Sequence, residues 1–203
     1  MKQKIEKTLN NLSKRGFQCY FFSTSSEAKS HLLNQIKKEE TIGIGGSMTV
    51  KNLEIYESLV EQGNEVYWHW MAEPKDRPKI FPKAQYSDIY LTSTNALTEE
   101  GELINIDGNG NRVSSMFFGP KKVIFLCGVN KIVKDENEGF KRIKEIACPL
   151  NAKRLDLKTP CGVTGECNDC THPDRMCNIT VTLTGRPKLI EQEIYLIDEE
   201  LGY

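Results

Sequence analysis

The run Thr41-Ile42-Gly43-Ile44-Gly45-Gly46-Ser47-Met48-Thr49-Val50 passes from a strand, through a glycine turn, into a helix. Thr41–Ile44 is apolar and β-branched enough for a short strand. Val50–Glu61 continues as a helix and stops before Gly63. A strand that feeds directly into a helix is the repeating unit of an α/β fold.

The alternation extends outward in both directions. Upstream, residues 1–15 place Ile5, Leu9 and Leu12 on one helical stripe that Gly16 ends, and Phe17–Phe22 reads as a buried strand. Thr24 and Glu27 form a capping box for a helix with Ala28, Leu32 and Ile36 on one face. Downstream, Glu65–Trp68, Asp88–Thr92 and Lys122–Cys127 are strands, and Glu102–Ile106 is one arm of a hairpin. Asp135 and Glu138 cap a helix carrying Phe140, Ile143 and Ala147, expected to end before Pro149. Three prolines in residues 74–82 predict an irregular connection. Leu155–Leu157 is expected as a short strand, with Ile179–Leu183 and Glu193–Leu196 as closing strands. The sum is a mostly parallel sheet covered on both faces. One domain over residues 1–203 is expected, with residues 159–178 as an excursion from it.

Composition narrows the function classes. The 203 residues carry a formal net charge of −1, with none of the basic footprint of a nucleic-acid binder. The longest apolar runs, such as Val123–Val129, are too short to cross a bilayer. Basic residues near the N-terminus are followed by no apolar stretch, so a signal peptide is not expected and a cytoplasmic setting is. In that reducing setting seven cysteines point to metal binding or catalysis rather than disulfides. Cys19, Cys127 and Cys148 are scattered and read as small core residues.

Cys161, Cys167, Cys170 and Cys177 are clustered, with the spacing C-x5-C-x2-C-x6-C. Pro160, Gly162, Gly165 and Pro173 let the backbone turn tightly enough for the thiolates to converge. Four soft thiolates suit a [4Fe–4S] cluster, the favoured reading, or tetrahedral zinc. The bland alternative is two disulfides or four free thiols in a turn-rich loop. His172 could replace one thiolate but reads as a surface residue. Arg175 could donate hydrogen bonds to a thiolate centre or simply be a capping or solvated residue.

Two further constellations suit an anionic ligand at the carboxyl ends of the strands. Gly45, Gly46, Ser47 and Thr49 could cradle a phosphate or carboxylate, or serve only as a tight turn with a helix cap. Thr94–Arg112 and Cys127–Lys131 supply Asn95, Asn109, Arg112 and Asn130 for binding, and Glu102, Asp107 and Lys131 for moving protons. Asp107-Gly-Asn-Gly is equally the composition of an ordinary β-turn.

On Gly45-Gly46-Ser47, Thr94–Arg112, Gly119-Pro120-Lys121-Lys122 and Gly128-Val-Asn-Lys131, the chain resembles the LUD family, the lactate-utilisation domain, over nearly its whole length. The resemblance implies a Rossmann-like three-layer fold of the type shared by sugar-phosphate isomerases, 5-formyltetrahydrofolate cyclo-ligase and CoA transferases, with a substrate pocket at the strand ends. It also implies a part in oxidising L-lactate to pyruvate within an iron–sulfur complex, and so a redox protein partner. This chain differs from the lactate proteins in having its own cysteine loop rather than a long ferredoxin-like extension. Two other readings stay open: a non-redox isomerase or transferase with structural zinc, and a metabolite or redox sensor. The fold type also accommodates a homodimer.

Overall fold

The computed structural model describes residues 2–203. Its main sheet has six strands in the order β1-β10-β7-β4-β2-β3, every neighbouring pair parallel. These are β1 (Gln18–Phe22), β2 (Ile42–Ile44), β3 (Val66–Trp68), β4 (Ile89–Thr92), β7 (Lys122–Gly128) and β10 (Glu191–Ile197). Alternate residues of the strands feed two separate cores, because successive side chains of a strand point to opposite faces. Tyr90, Val123 and Phe125 pack on one face with α1 (Lys2–Lys14), α5 (Arg77–Gln85) and α6 (Asn111–Phe117). Leu91, Ile124 and Leu126 pack on the other with α2 (Ser25–Gln35), α3 (Met48–Asn52) and α4 (Ile55–Gln62). The fold is therefore α/β and Rossmann-like, helices lying over both faces of the sheet.

A second sheet stands beside the first, with strand order β8-β5-β6-β9: β8 (Ile132–Val133), β5 (Ala96–Thr98), β6 (Leu103–Asp107) and β9 (Ile179–Leu183). The chain passes from the main sheet to this one twice, through Ser93–Asn95 after β4 and through a 3-10 turn at Val129–Lys131 after β7. Both passages lie at carboxyl ends of parallel strands, and they set the position of the site.

Several expectations are corrected. Residues 77–85 are helical despite Pro78 and Pro82. Pro78 sits in the first turn, where the missing N–H has no intrahelical partner to lose. The helix expected over Val50–Glu61 is two helices, α3 and α4, separated at Glu54, whose φ is 49°. The helix opened by Asp135 does not stop before Pro149. After α7 (Glu136–Arg142) it widens into a π turn at Ile143–Ala147, then continues as α8 (Cys148–Arg154) with the proline in its first turn. Leu155–Leu157 is not a strand but the turn that follows α8, with Leu157 N–H bonded to the Ala152 carbonyl. The two closing strands separate: β9 pairs antiparallel with β6, whereas β10 lies inside the main sheet between β1 and β7.

Candidate functional site

A cavity of about 580 Å³ opens where the two sheets meet. Its walls come from the residues that follow parallel strands: Gly46 and Ser47 after β2, His69 and Trp70 after β3, Ser93–Asn95 after β4 and Lys131 after β7. Asp107–Asn109 at the end of β6 and Cys148, Asn151 and Arg154 of α8 close the other side.

Arg112 is the structural hub of this wall. It is 9 % exposed, pairs with Asp107 at 3.3 Å, and donates to Ser93 O, Asn105 Oδ1, Asn95 Oδ1 and Ile106 O. A guanidinium has five N–H groups, and these partners engage them all. Asp107 is equally committed, since its Oδ1 accepts from the N–H groups of Asn109 and Gly110. Both residues shape the cavity. Gly45 lies behind it, where an added Cβ would stand 2.8 Å from Tyr90 Oη and 3.1 Å from Arg112 Cγ.

Lys131 lies on the cavity floor and is 3 % exposed. Its ammonium donates to Ser93 Oγ at 3.0 Å, Thr94 O at 3.1 Å and Tyr203 O at 3.5 Å. Burial brings its pKa down to about 7; the nearby guanidiniums of Arg142 and Arg112 act in the same direction and the Cys127 thiol against it. A buried lysine poised near neutrality suits proton transfer or anion capture.

The outer wall was not legible in the sequence. Lys51, Arg77 and Arg154 surround the mouth, with His69, Trp70 and Phe81 between them. Arg154 lies over the Trp70 ring at 4.6 Å and donates to Asn151 Oδ1 and Tyr203 Oη. His69 is held neutral, its pKa lowered to about 4 by burial and by Arg77 and Arg154. These positions are isolated polar or aromatic residues in sequence, and only the placement of β3, α5 and α8 brings them together. The aromatic triplet of Trp68, His69 and Trp70 at a strand end was the signal available.

Of the residues expected to bind or react, Gly46, Ser47, Asn95, Asp107, Asn109, Arg112 and Lys131 line the cavity. Ser47 also caps α3, accepting from Val50 N–H at 3.2 Å. Glu102 is placed elsewhere: its carboxylate pairs with Arg15 and accepts from Thr98 Oγ1 at the β5–β6 turn, so its expected proton-transfer role has no geometric support. Thr49 and Asn130 are also outside the lining. Thr49 donates to Leu201 O, and Asn130 Oδ1 accepts from Leu201 N–H, so both secure the segment that brings Tyr203 to the cavity.

The cysteine segment packs against this site. Asn178 N–H donates to Asp107 O, and Met176 packs so closely on Gly108 that a Cβ there would meet it at 3.2–3.4 Å. Cys161 rides on α9 (Pro160–Thr164), capped by Thr159, and Gly165 ends that helix with φ 84°. Cys161, Cys167, Cys170 and Cys177 line one compact cavity of about 20 Å³, together with Cys148, Arg175 and Met176. All seven cysteines are free thiols. Among the described residues, no group of three His, Cys, Asp or Glu side chains is placed to hold a metal ion. The residues nevertheless fit a thiolate-bound group on two grounds. Four soft donors line one small cavity, and Arg175 offers a buried Nε–H that has no partner. Its other nitrogens hold Cys170 O at 2.9 Å and Cys177 O at 2.7 Å, fixing the loop around that space.

Cys148 is 8 % exposed, as a core residue would be, and it also lies in the wall of both cavities. Burial raises its pKa to about 12, with the neighbouring Cys177, Cys167 and Cys161 adding to the effect.

This architecture recurs in a solved structure, a DUF162 family protein from Deinococcus radiodurans. It is 13 % identical, has a TM-score of 0.55 and matches over 96 % of each chain, a likeness of fold. No curated protein matches the chain. No helix among the described residues is long and apolar enough to cross a membrane. The LUD domain family model matches residues 5–197, spanning both sheets and the cysteine loop, and the chain therefore belongs to the LUD domain family.

Proposed function

We propose that this LUD-domain protein binds a small anionic metabolite, a lactate-like hydroxy acid or a relative of one, beside a [4Fe–4S] centre held by Cys161, Cys167, Cys170 and Cys177. One observation carries the reading: Cys148 and Met176 line both the large cavity and the cysteine cavity, so only single side chains separate them. Positive charge at the large cavity favours an anion, and Lys131 on its floor is the residue suited to take a hydroxyl proton. Asp107 and Arg112, fully engaged with each other and with the backbone, orient Asn95 and the polar turn. When bound, such a cluster supplies one-electron transfer, and because oxidation of a hydroxy acid to its oxo acid releases two electrons and two protons, a redox protein partner belongs to the same reading. The protein then serves as an oxidoreductase component of organic-acid utilisation in the reducing cytoplasm.

Lys131 supports a second reading, a non-redox isomerase or transferase with zinc on the four thiolates, because a lysine near neutrality serves proton shuttling equally well. A visible spectrum of anaerobically purified protein, recorded during titration with L-lactate, separates the two. The first reading expects broad absorbance near ~400 nm that changes with ligand. Colourless protein with stoichiometric zinc would support the second.

A further inference from the structure

The mouth of the large cavity bears on the ligand's chemical class. Lys51, Arg77 and Arg154 are exposed around it, while Lys131 is buried at the floor. None of the three exposed cations has an Asp or Glu partner among the described residues, although lysines elsewhere on the surface, such as Lys7, Lys121 and Lys144, do. The cavity's own carboxylate, Asp107, is committed to Arg112. Like charges gathered at one mouth repel each other, and an anion lodged there relieves that repulsion. Arg154 is moreover pre-positioned, stacked on Trp70 and tied to Asn151 and Tyr203, which lowers the ordering cost of using it.

Charge and size together argue against an unphosphorylated three-carbon acid, with its single carboxylate, as the whole ligand. A single carboxylate on Lys131 leaves the exposed cations unanswered. The volume of about 580 Å³ falls in the range of pockets that enclose drug-sized molecules. Guanidinium pairs match the geometry of phosphoryl oxygens.

Resting on the reading of this cavity as an anion site, we infer that its ligand carries two anionic ends. A carboxylate meets Lys131 and Ser93 at the floor, and a phosphoryl group is held at the mouth by Lys51, Arg77 and Arg154. The substrate class is a phosphorylated organic acid.

Calorimetry on the anaerobically purified full chain, with 3-phosphoglycerate, L-lactate and inorganic phosphate as probes, tests this. At low salt 3-phosphoglycerate should bind at least about tenfold more tightly than L-lactate. Lys51→Gln and Arg77→Gln, both at exposed positions, should each weaken 3-phosphoglycerate and phosphate by about fivefold or more and leave L-lactate within about twofold. If L-lactate binds as tightly as 3-phosphoglycerate, or if the two variants leave phosphate and 3-phosphoglycerate unaffected or weaken all three probes equally, the phosphoryl site is overturned and the anion cavity stands. If no probe binds, the anion reading fails and this inference fails with it.

Discussion

Cys148 and Met176 pack into one apolar cluster, and each forms part of the wall of two cavities at once. Cys148 comes directly after the π turn at Ile143–Ala147, its N–H bonded back to Ile143 O, and Met176 comes from the far end of the cysteine loop. A ligand in the large cavity and a group held by the four thiols would thus touch the same pair of side chains.

Cys148→Ala should keep full metal content, because the four loop cysteines complete a ligand set without it. Iron or zinc per chain, measured after anaerobic purification, checks this. Loss of metal would make Cys148 a ligand in its own right.

Arg112→Met should destabilise the protein by about 3–5 kcal/mol, since removing one partner of a buried ion pair leaves the other uncompensated. Asp107 would lose its countercharge, and Asn95, Asn105, Ser93 and Ile106 would each lose a donor. Denaturant unfolding reads the effect. A change below about 1 kcal/mol would mean that Arg112 is not the hub described here.

Lys131 should impose a pH dependence on stability. Its pKa is lowered in the fold to about 7 from an ordinary lysine's 10.5, so between these values the unfolded chain binds more protons than the folded one. Stability contributed by this group therefore rises with pH across that window, is complete above it, and is lost as pH falls through about 7. Lys131→Met should remove this component of the slope when unfolding is compared at pH values inside the window. An unchanged slope would contradict a lysine held near neutrality.

Two glycines of the opening strand and turn should respond oppositely to alanine. A Cβ on Gly43 would lie 2.2 Å from Ala84 O, a backbone atom of α5, and Gly43→Ala should cost about 1–3 kcal/mol or more. A Cβ on Gly46 would meet Trp70 and His69 no closer than 3.5 Å, so Gly46→Ala should fold normally. Thermal unfolding of both variants checks the contrast, and equal losses would contradict it.

How much of this was legible in the sequence follows from the range of the interactions. The β2 strand, the caps at Thr24 and Asp135, and the core runs of β4 and β7 are local patterns, and they appear where the periodicity places them. Prolines misled in two ways: Pro78 falls in a first helical turn, where a proline costs no hydrogen bond, and Pro149 lies just after a π turn through which the helix continues. The helix α6 was hidden by Asp107-Gly-Asn-Gly, which is both a turn and, through the φ of 84° at Gly110, the entrance to that helix. Pairing partners were not legible at all: nothing local distinguishes Ile179–Leu183, bound for the second sheet, from Glu191–Ile197, bound for the main one. The same limit governs the site. Lys131 and Asp107 stood out by their local company, but Lys51, Arg77 and Arg154 meet only through the topology.

The account depends on sulfur atoms from Cys161, Cys167, Cys170 and Cys177 sharing one bound group. Metal and labile sulfide content per chain, in anaerobically purified wild type and in Cys167→Ser and Cys170→Ser, tests that most directly. The expected result is one iron–sulfur cluster per wild-type chain and loss of stoichiometric metal in each variant. Wild-type protein without metal, or full metal retained in both variants, would contradict it.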